Sequence, residues 1–91
     1  MENEIEIALT ARAIAHPARV KIVAHLFVDK CGLRNIDLTK VLGYTKSTVK
    51  KHLDMLKDAD LVEVNYFTHF YLISLNKKGI QLAETMFKGK E

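Results

Sequence analysis

Cysteine is nearly absent from this chain: Cys31 is the one thiol among 91 residues. A lone thiol cannot form an internal disulfide, so no disulfide framework holds the fold, although a bridge between the Cys31 residues of two copies stays open. The favoured role for Cys31 is that of a small apolar residue at the end of a helix.

Long apolar runs and a basic leader are also missing. No stretch approaches the roughly 20 apolar residues of a membrane-spanning helix. The start, Met1-Glu2-Asn3-Glu4, is acidic and lacks the basic region of a signal peptide. We therefore expect a cytoplasmic protein with no membrane partner.

Residues suited to catalysis or metal binding are few and scattered. The four histidines show no pair at i, i+4 spacing, and no phosphate-binding glycine loop is present. We expect neither an enzyme nor a metal or cofactor site. Of these histidines, we expect His52 to be packed and hydrogen-bonded within the structure and His69 to be exposed. The full set is His16, His25, His52 and His69.

The composition is that of a small globular protein with a mild positive charge. Hydrophobic residues make up 48% of the chain and the formal net charge is +3. We expect one domain over residues 1–91. A mild positive charge is compatible with nucleic-acid binding but does not require it, so the position of the charge matters more than its total.

Three segments predict long amphipathic helices. The first runs roughly from Asn3 to Ala15, and the second begins at Pro17 and is expected to stop at Gly32. The last follows Asn76, a good N-cap. The first and last are apolar on more than one side, which indicates that a second subunit covers the surplus face.

The middle of the chain predicts short elements. Leu33-Arg34 is a candidate short strand, and Asn35 is the expected N-cap of a third helix that Gly43 ends. Thr45 is then the expected N-cap of a fourth helix.

After this helix the apolar period changes to that of strands. Residues 61–66 and 70–75 predict two strands, joined as a hairpin by the turn Phe67-Thr68-His69. The whole order predicts a mainly α fold with a small β-hairpin (α+β), the plan of a winged helix-turn-helix.

The segment from Lys46 to Ala59 divides into two faces when placed on an ideal helix. The polar face carries Lys46, Ser47, Lys50, Lys51, Asp54, Lys57 and Asp58. The core face carries Thr48, Val49, His52, Leu53, Met55, Leu56 and Ala59. The lysines of the first two turns add to the positive end of the helix dipole, and such a helix suits a DNA major groove.

The chain resembles the ArsR-type family of winged helix transcriptional repressors over nearly its whole length. Two stretches carry the resemblance: Ala15–Val23 (AHPARVKIV), and Leu42–Leu56 (LGYTKSTVKKHLDML) followed by Leu61-Val62. It implies a homodimer that binds pseudo-palindromic DNA and dimerises through its first and last helices. The residues that match the DNA-contacting part of the family are Thr45, Lys46, Ser47, Thr48, Lys50 and Lys51.

The sequence departs from the family at three places. Many members bind metal through a cysteine pair near the start of the helix that holds Asp37 and Thr39 here, and no cysteine is present there. Others use histidine and acidic residues on the last helix, which has Glu84 but no histidine. The hairpin tip lacks the Arg or Lys of a wing that grips phosphate, and offers only Asn65, Tyr66, Thr68 and His69.

The sequence therefore predicts a homodimeric regulator, a repressor, that binds double-stranded DNA sequence-specifically. Its effector, if it has one, is not identified. The expected DNA contacts are Arg34, Thr45, Lys46, Ser47, Thr48, Lys50, Lys51 and His69, with Lys40 as a further phosphate contact.

The alternative is a winged helix that binds a protein and not DNA. It rests on the weakly charged wing and on the aromatic residues Tyr66, Phe67, Phe70 and Tyr71. An exposed apolar patch of this kind could dock a protein. We favour a core position for about half of these four side chains, because alternate residues of a strand face inward.

Overall fold

The computed structural model describes residues 3–87 of the chain. Within them the order of elements is that of a winged helix, as predicted. None of these helices is long and apolar enough to cross a membrane. The elements are α1 (Glu4–Ala13), α2 (Pro17–Val28), β1 (Leu33–Arg34), α3 (Asn35–Leu42), α4 (Lys46–Asp58), β2 (Val62–Tyr66), β3 (Tyr71–Leu75) and α5 (Lys77–Phe87).

The three strands form one antiparallel sheet in the order β1-β3-β2. The short strand β1 pairs Leu33 with Ile73, and β2 pairs Val64 with the same residue. Ile73 is fully buried. The central strand therefore connects the hairpin to the rest of the domain, and the predicted short strand and hairpin are both confirmed.

The junction between α1 and α2 is fixed by Pro17. The ring of a proline disfavours helical backbone in the residue before it, and His16 is extended, with φ −147° and ψ 131°. For this reason α1 ends at Ala13, two residues before the predicted boundary at Ala15. His16 instead begins α2, where its Nδ1 accepts a hydrogen bond from the Ala18 backbone N–H at 3.0 Å.

The predicted role of Gly32 as the stop of α2 is wrong. The helix ends at Val28, and Asp29 is its C-cap. The Gly32 N–H closes a turn on the Asp29 carbonyl oxygen at 3.1 Å. Gly32 has φ +93°, and a Cβ built there would lie 2.8 Å from the carbonyl oxygen of Ile73. The glycine is thus needed where the chain passes close to β3.

The predicted N-cap of α3 is displaced by one residue. Arg34 is the N-cap, and its backbone N–H donates to the Asp37 carboxylate at 3.2 Å. Asn35 lies inside the helix, and its Oδ1 accepts a hydrogen bond from the Tyr71 N–H at 3.1 Å. The Asn35 side chain therefore ties α3 to β3, a long-range contact that its type and position in the sequence do not indicate.

The other predicted helix ends are confirmed. Gly43 is the left-handed C-cap of α3, and Thr45 caps α4. Asn76 accepts a hydrogen bond from the Gly79 N–H at 2.8 Å, one turn into α5. The core beneath these elements is apolar, and its largest fully buried side chains are Ile22, Val23, Leu38, Val49, Leu56, Leu61 and Ile73.

Arg19, near the start of α2, joins three helices. Its Nε donates to the Ala13 carbonyl oxygen at 2.8 Å, and its Nη2 donates to the Arg12 carbonyl oxygen at 3.3 Å. Its Nη1 lies 3.3 Å from Nδ1 of His52 on α4. The guanidinium thus satisfies the open carbonyl end of α1 and holds α4 against it.

We expect Arg19→Met to lower the free energy of unfolding by about 1–3 kcal/mol. Methionine keeps the apolar stem but leaves the partly buried Ala13 carbonyl oxygen without this donor. Urea denaturation at one protein concentration measures the change. Lys21→Met, an exposed position on the same helix, is the control and should change stability by less than about 0.5 kcal/mol. Equal losses in the two variants would contradict the role given to Arg19.

Candidate nucleic-acid interface

The inner face of α4 seats the helix on the core and leaves its outer face in solvent. Val49, Leu53 and Leu56 are buried. The lysines of the predicted polar face are exposed, and Asp54 is half-buried. The predicted division of the helix is confirmed. The exposed lysines are Lys46, Lys50, Lys51 and Lys57.

Three hydroxyl groups gather at the start of α4. Thr45 Oγ1 accepts a hydrogen bond from the Thr48 N–H at 3.3 Å and donates to Thr48 Oγ1 at 2.9 Å. It also lies 3.3 Å from Ser47 Oγ. Because Thr48 accepts in this arrangement, its own hydroxyl proton remains available to an outside acceptor. The first turn of α4 therefore presents hydroxyl and backbone donors together.

The lysines of α4 differ in whether they are paired. Lys50 Nζ lies 3.3 Å from Asp54 Oδ2, and both side chains are at least half exposed. An exposed pair of this kind is weak, so an incoming phosphate can replace the carboxylate. Lys46 and Lys51 have no ion pair with any residue between 3 and 87. These two ammonium groups are the open cations at the positive end of the helix dipole.

Arg34 precedes α3 and forms a two-pronged ion pair with Asp37. Its Nη2 lies 3.0 Å from Asp37 Oδ1, and its Nε lies 3.1 Å from Oδ2. The hydrogen bond from Arg34 holds the pKa of Asp37 below its usual range, and Lys40 adds to the effect. The pair cancels the charge of Arg34 locally, but three of the five guanidinium N–H groups remain free to donate.

The aromatic residues of the hairpin are more exposed than the sequence indicated. Tyr66 and Phe67 are 70% and 55% exposed, and Phe70 is 36% exposed. Tyr71 alone packs against the core. The expectation that about half of the four are core residues is wrong. Only the part of the hairpin away from its turn covers the core. His69, at the turn, is exposed as expected.

One contact that sequence reasoning missed joins α4 to the hairpin. Lys57 Nζ donates to the Tyr66 hydroxyl at 3.3 Å and lies 5.8 Å from the centre of the tyrosine ring. Lys57 is two turns after Lys50 on the same face of α4, and this spacing is the one feature of the sequence that points to the contact. The strand register that brings Tyr66 to it is a property of the folded hairpin.

The comparisons with known proteins bear on this arrangement. Residues 16–64, more than half of the chain, match the model of the bacterial regulatory protein, arsR family. The chain belongs to this family. The predicted resemblance is confirmed, and the chain is a winged helix transcription regulator and not an enzyme. No curated protein matches the sequence.

Solved structures of regulators share the fold of this ArsR-family chain. HlyU from Vibrio cholerae is 19% identical, with a TM-score of 0.85 over 98% of this chain and 96% of HlyU. The transcriptional repressor PagR of Bacillus anthracis is 25% identical, with a TM-score of 0.75 over 90% and 93%. MepR of Staphylococcus aureus in its DNA complex is 22% identical, with a TM-score of 0.77 over 90% and 69%.

His52 has the structural role that the sequence predicted. It is half-buried on the inner side of α4, with the His16 ring 4.7 Å and the Tyr44 ring 6.1 Å from its own, centre to centre. Burial lowers the pKa of His52, and the nearby His16 and Arg19 lower it further. Within residues 3–87 no three His, Cys, Asp or Glu side chains are grouped to hold a metal.

Acid should destabilise this chain through His52. Because its pKa is lower in the folded than in the unfolded chain, the unfolded chain binds more protons below pH 6.5. The stabilisation is complete above that pH and is lost as the pH falls toward the lowered pKa. Thermal unfolding from pH 7.5 to pH 5 should show a smaller drop in Tm for His52→Gln than for the wild type.

The control for this prediction is His69→Gln, which changes an exposed histidine of the hairpin turn. It should follow the wild-type dependence on pH. If His52→Gln follows it too, His52 does not carry the acid sensitivity.

Proposed function

We propose that the chain binds double-stranded DNA sequence-specifically as a homodimer and represses transcription in the cytoplasm. One winged helix domain over residues 1–91 does this. The observation that carries the proposal is the outer face of α4. There Lys46 and Lys51, which have no ion pair within residues 3–87, lie beside three hydroxyl groups at the positive end of the helix. A major groove admits an α-helix, N-terminal residues first.

Each contact has a distinct role in the proposed complex. Lys46, Lys50 and Lys51 meet phosphates or guanine edges, since lysine donates to both. The hydroxyls of Ser47 and Thr48 donate to phosphates or base edges. The Thr45 hydroxyl, whose proton goes to Thr48 Oγ1, orients them and accepts from a base amino group. These six residues form the central contact.

Flanking residues supply the remaining contacts. Arg34, oriented by Asp37, offers its free guanidinium donors to a phosphate. Lys40 is exposed in the last turn of α3 and adds a second cation on this side. His69 contacts the DNA backbone from the hairpin turn.

The homodimer is supported by apolar side chains that the protomer leaves uncovered. Ile5 and Ile7 on α1 are 72% and 55% exposed, and Ile80 on α5 is also exposed. Ala13 is the one buried residue of α1. A two-fold dimer that covers these helices would place two α4 helices about 34–36 Å apart, in successive major grooves of a pseudo-palindrome.

Repression is the finer part of the proposal. PagR, 25% identical to this chain, is a transcriptional repressor, and the family comprises regulatory proteins. A dimer on two adjacent half-sites occupies DNA that other proteins then cannot bind.

The lysines of α4 provide the test of DNA binding. We expect Lys46→Gln/Lys51→Gln to weaken binding to a 30-base-pair mixed-sequence duplex and to flatten its dependence on salt. The slope of log K against log salt should fall by about 0.9 for each phosphate that the variant no longer neutralises. Fluorescence anisotropy over a salt series measures both quantities.

Lys21→Gln/Lys30→Gln is the matched control, because it removes the same charge from exposed positions of α2 or just after it. Its effect on affinity and slope should be small. Equal effects of the two double variants would show that only net charge matters and would refute the α4 contact. A wild type that fails to bind at low salt would refute the DNA-binding function as a whole.

The exposed face of α1 provides the test of dimerisation. We expect Ile5→Glu to raise the dimer dissociation constant at least about tenfold, because each protomer would bury a charge at the interface. Ile5 is exposed in the protomer, so its fold should survive. Sedimentation velocity over a concentration series measures the constant.

Val28→Glu is the control, since Val28 is 83% exposed but lies on α2. It should leave the dimer intact. Dissociation by Val28→Glu and not by Ile5→Glu would place the subunit contact on another face.

A further inference from the structure

Two histidine rings lie side by side where α1, α2 and α4 meet. The rings of His16, the N-cap of α2, and His52, on α4, are 4.7 Å apart between their centres, with 50° between their planes. His52 is half-buried and His16 is exposed, so a proton from solvent can reach the pair. Two titratable rings therefore lie at the junction that orients the outer face of α4.

Each of these rings accepts a hydrogen bond at Nδ1. Nδ1 of His16 accepts from the Ala18 backbone N–H at 3.0 Å, and Nδ1 of His52 lies 3.3 Å from Nη1 of Arg19. A backbone amide nitrogen and a guanidinium can only donate, and the guanidinium does not lose its proton in proteins. Both Nδ1 atoms must therefore be unprotonated, so each neutral ring carries its proton on Nε2.

A protonated ring cannot keep either hydrogen bond. Because an imidazolium is a donor at both nitrogens, the new N–H of His52 would point at an N–H of Arg19. The added positive charge would also face the charge of the guanidinium and, once His16 is protonated, a second imidazolium. Protonation therefore opposes the contact that joins α4 to α1 and α2.

The groups that surround His52 do not compensate a positive charge. Arg19 and His16 approach it from the start of α2, and both favour the neutral ring. Tyr44, in the turn before α4, adds an aromatic ring 6.1 Å away between centres. The surroundings of His52 are therefore cationic or uncharged.

The acidic side chains of the three helices lie elsewhere. Helix α2 contains none. Glu4 and Glu6 are in the first turn of α1, whereas the junction is at its last turn. On α4, Asp54 pairs with Lys50, and Asp58 is the last residue of the helix. Within residues 3–87, no carboxylate acts on His52 to favour its charged form.

We propose that this histidine pair is an acid-sensitive switch of DNA binding, in which protonation of His52 releases α4 from Arg19 and lowers the affinity for DNA. The switch rests on the function proposed above and regulates the same face of α4. Once the hydrogen bond to Arg19 is lost, the direction of the helix is no longer fixed, and its lysines and hydroxyls no longer enter a groove together.

The direction of the pH dependence follows from the burial of His52. Burial lowers its pKa below the ordinary value of 6.5, whereas release of α4 returns the ring to solvent and the pKa toward that value. The bound arrangement of α4 is therefore fully favoured above pH 6.5. It loses this advantage as the pH falls toward the lowered pKa.

Imidazole nitrogen NMR spectra of the isotope-labelled wild type test the two hydrogen bonds directly. At pH 7.5 we expect both His16 and His52 as the tautomer protonated on Nε2. Saturation with the 30-base-pair mixed-sequence duplex should lower the pKa of His52 further, because DNA selects the bound arrangement of α4 and linkage is reciprocal. A proton on Nδ1 of neutral His52, or a pKa that DNA leaves unchanged, would overturn the inference.

The affinity for the same duplex gives the second measurement. Between pH 7.5 and pH 5, the wild type should lose at least about threefold more affinity than His52→Gln, whose amide oxygen still accepts from Arg19 but does not titrate. The remaining histidines gain charge in both proteins, so the ratio isolates His52. His25→Gln, which removes a histidine from the last turn of α2, is the matched control and should follow the wild type.

Far-UV circular dichroism at each pH separates the switch from unfolding. The switch requires the affinity to fall while the helical signal stays native. An affinity that falls only in step with the folded fraction contradicts it, as does an equal pH dependence of the wild type and His52→Gln. If the wild type does not bind the duplex at pH 7.5 and low salt, the DNA-binding function itself fails.

Discussion

The guanidinium of Arg19 is the contact on which the orientation of α4 depends. The inner face of α4 is apolar, and apolar packing alone tolerates small rotations and shifts. Hydrogen bonds do not tolerate such shifts, because they have fixed directions. The planar guanidinium of Arg19, at the start of α2, bonds the carbonyl end of α1 and His52 on α4. The outer face of α4 inherits its direction from this junction. A substitution at Arg19 should therefore change the orientation of the lysines and hydroxyls of α4, although Arg19 does not contact them.

The same helix is built for two environments, and its two ends differ. Val49, Leu53 and Leu56 bury one side, while the cap at Thr45 turns the first hydroxyls toward solvent. Carboxylates enter only from Asp54 onward, where Lys50 is already paired. The positive potential is thus confined to the first turns. That end is the part of such a helix that can go deepest into a groove.

The sequence patterns correctly predicted the features that depend only on residues close together in the chain. The period of α4, the caps at Thr45 and Asn76 and the hairpin all follow from adjacent residues. The contacts that failed prediction are long-range: Gly32 against Ile73, Asn35 against Tyr71, and Lys57 against Tyr66. The first two depend on the register of β3 with its neighbours, and the third depends on how β2 packs against α4. No spacing within a single segment encodes either arrangement. The prediction for the aromatic side chains of the hairpin failed for a related reason. Alternation along a strand does not show where the core beneath the strand ends.

Ion pairs within the protein reduce the positive charge that is available to bind phosphate. Arg34 and Lys50 are both held by carboxylates, so an incoming phosphate must compete for them, and their net gain on binding is reduced. Lys46 and Lys51 give their full charge. With few open cations on this face, we expect the salt-dependent and sequence-independent part of the DNA affinity to be small in the proposed complex. In the proposed complex, the hydroxyl groups of α4 must then supply a larger share of the affinity. Hydroxyl groups can bind base edges, which differ between sequences, whereas the phosphates are the same in every sequence. A weakly charged wing is therefore consistent with a regulator that gains selectivity as it gives up non-specific affinity.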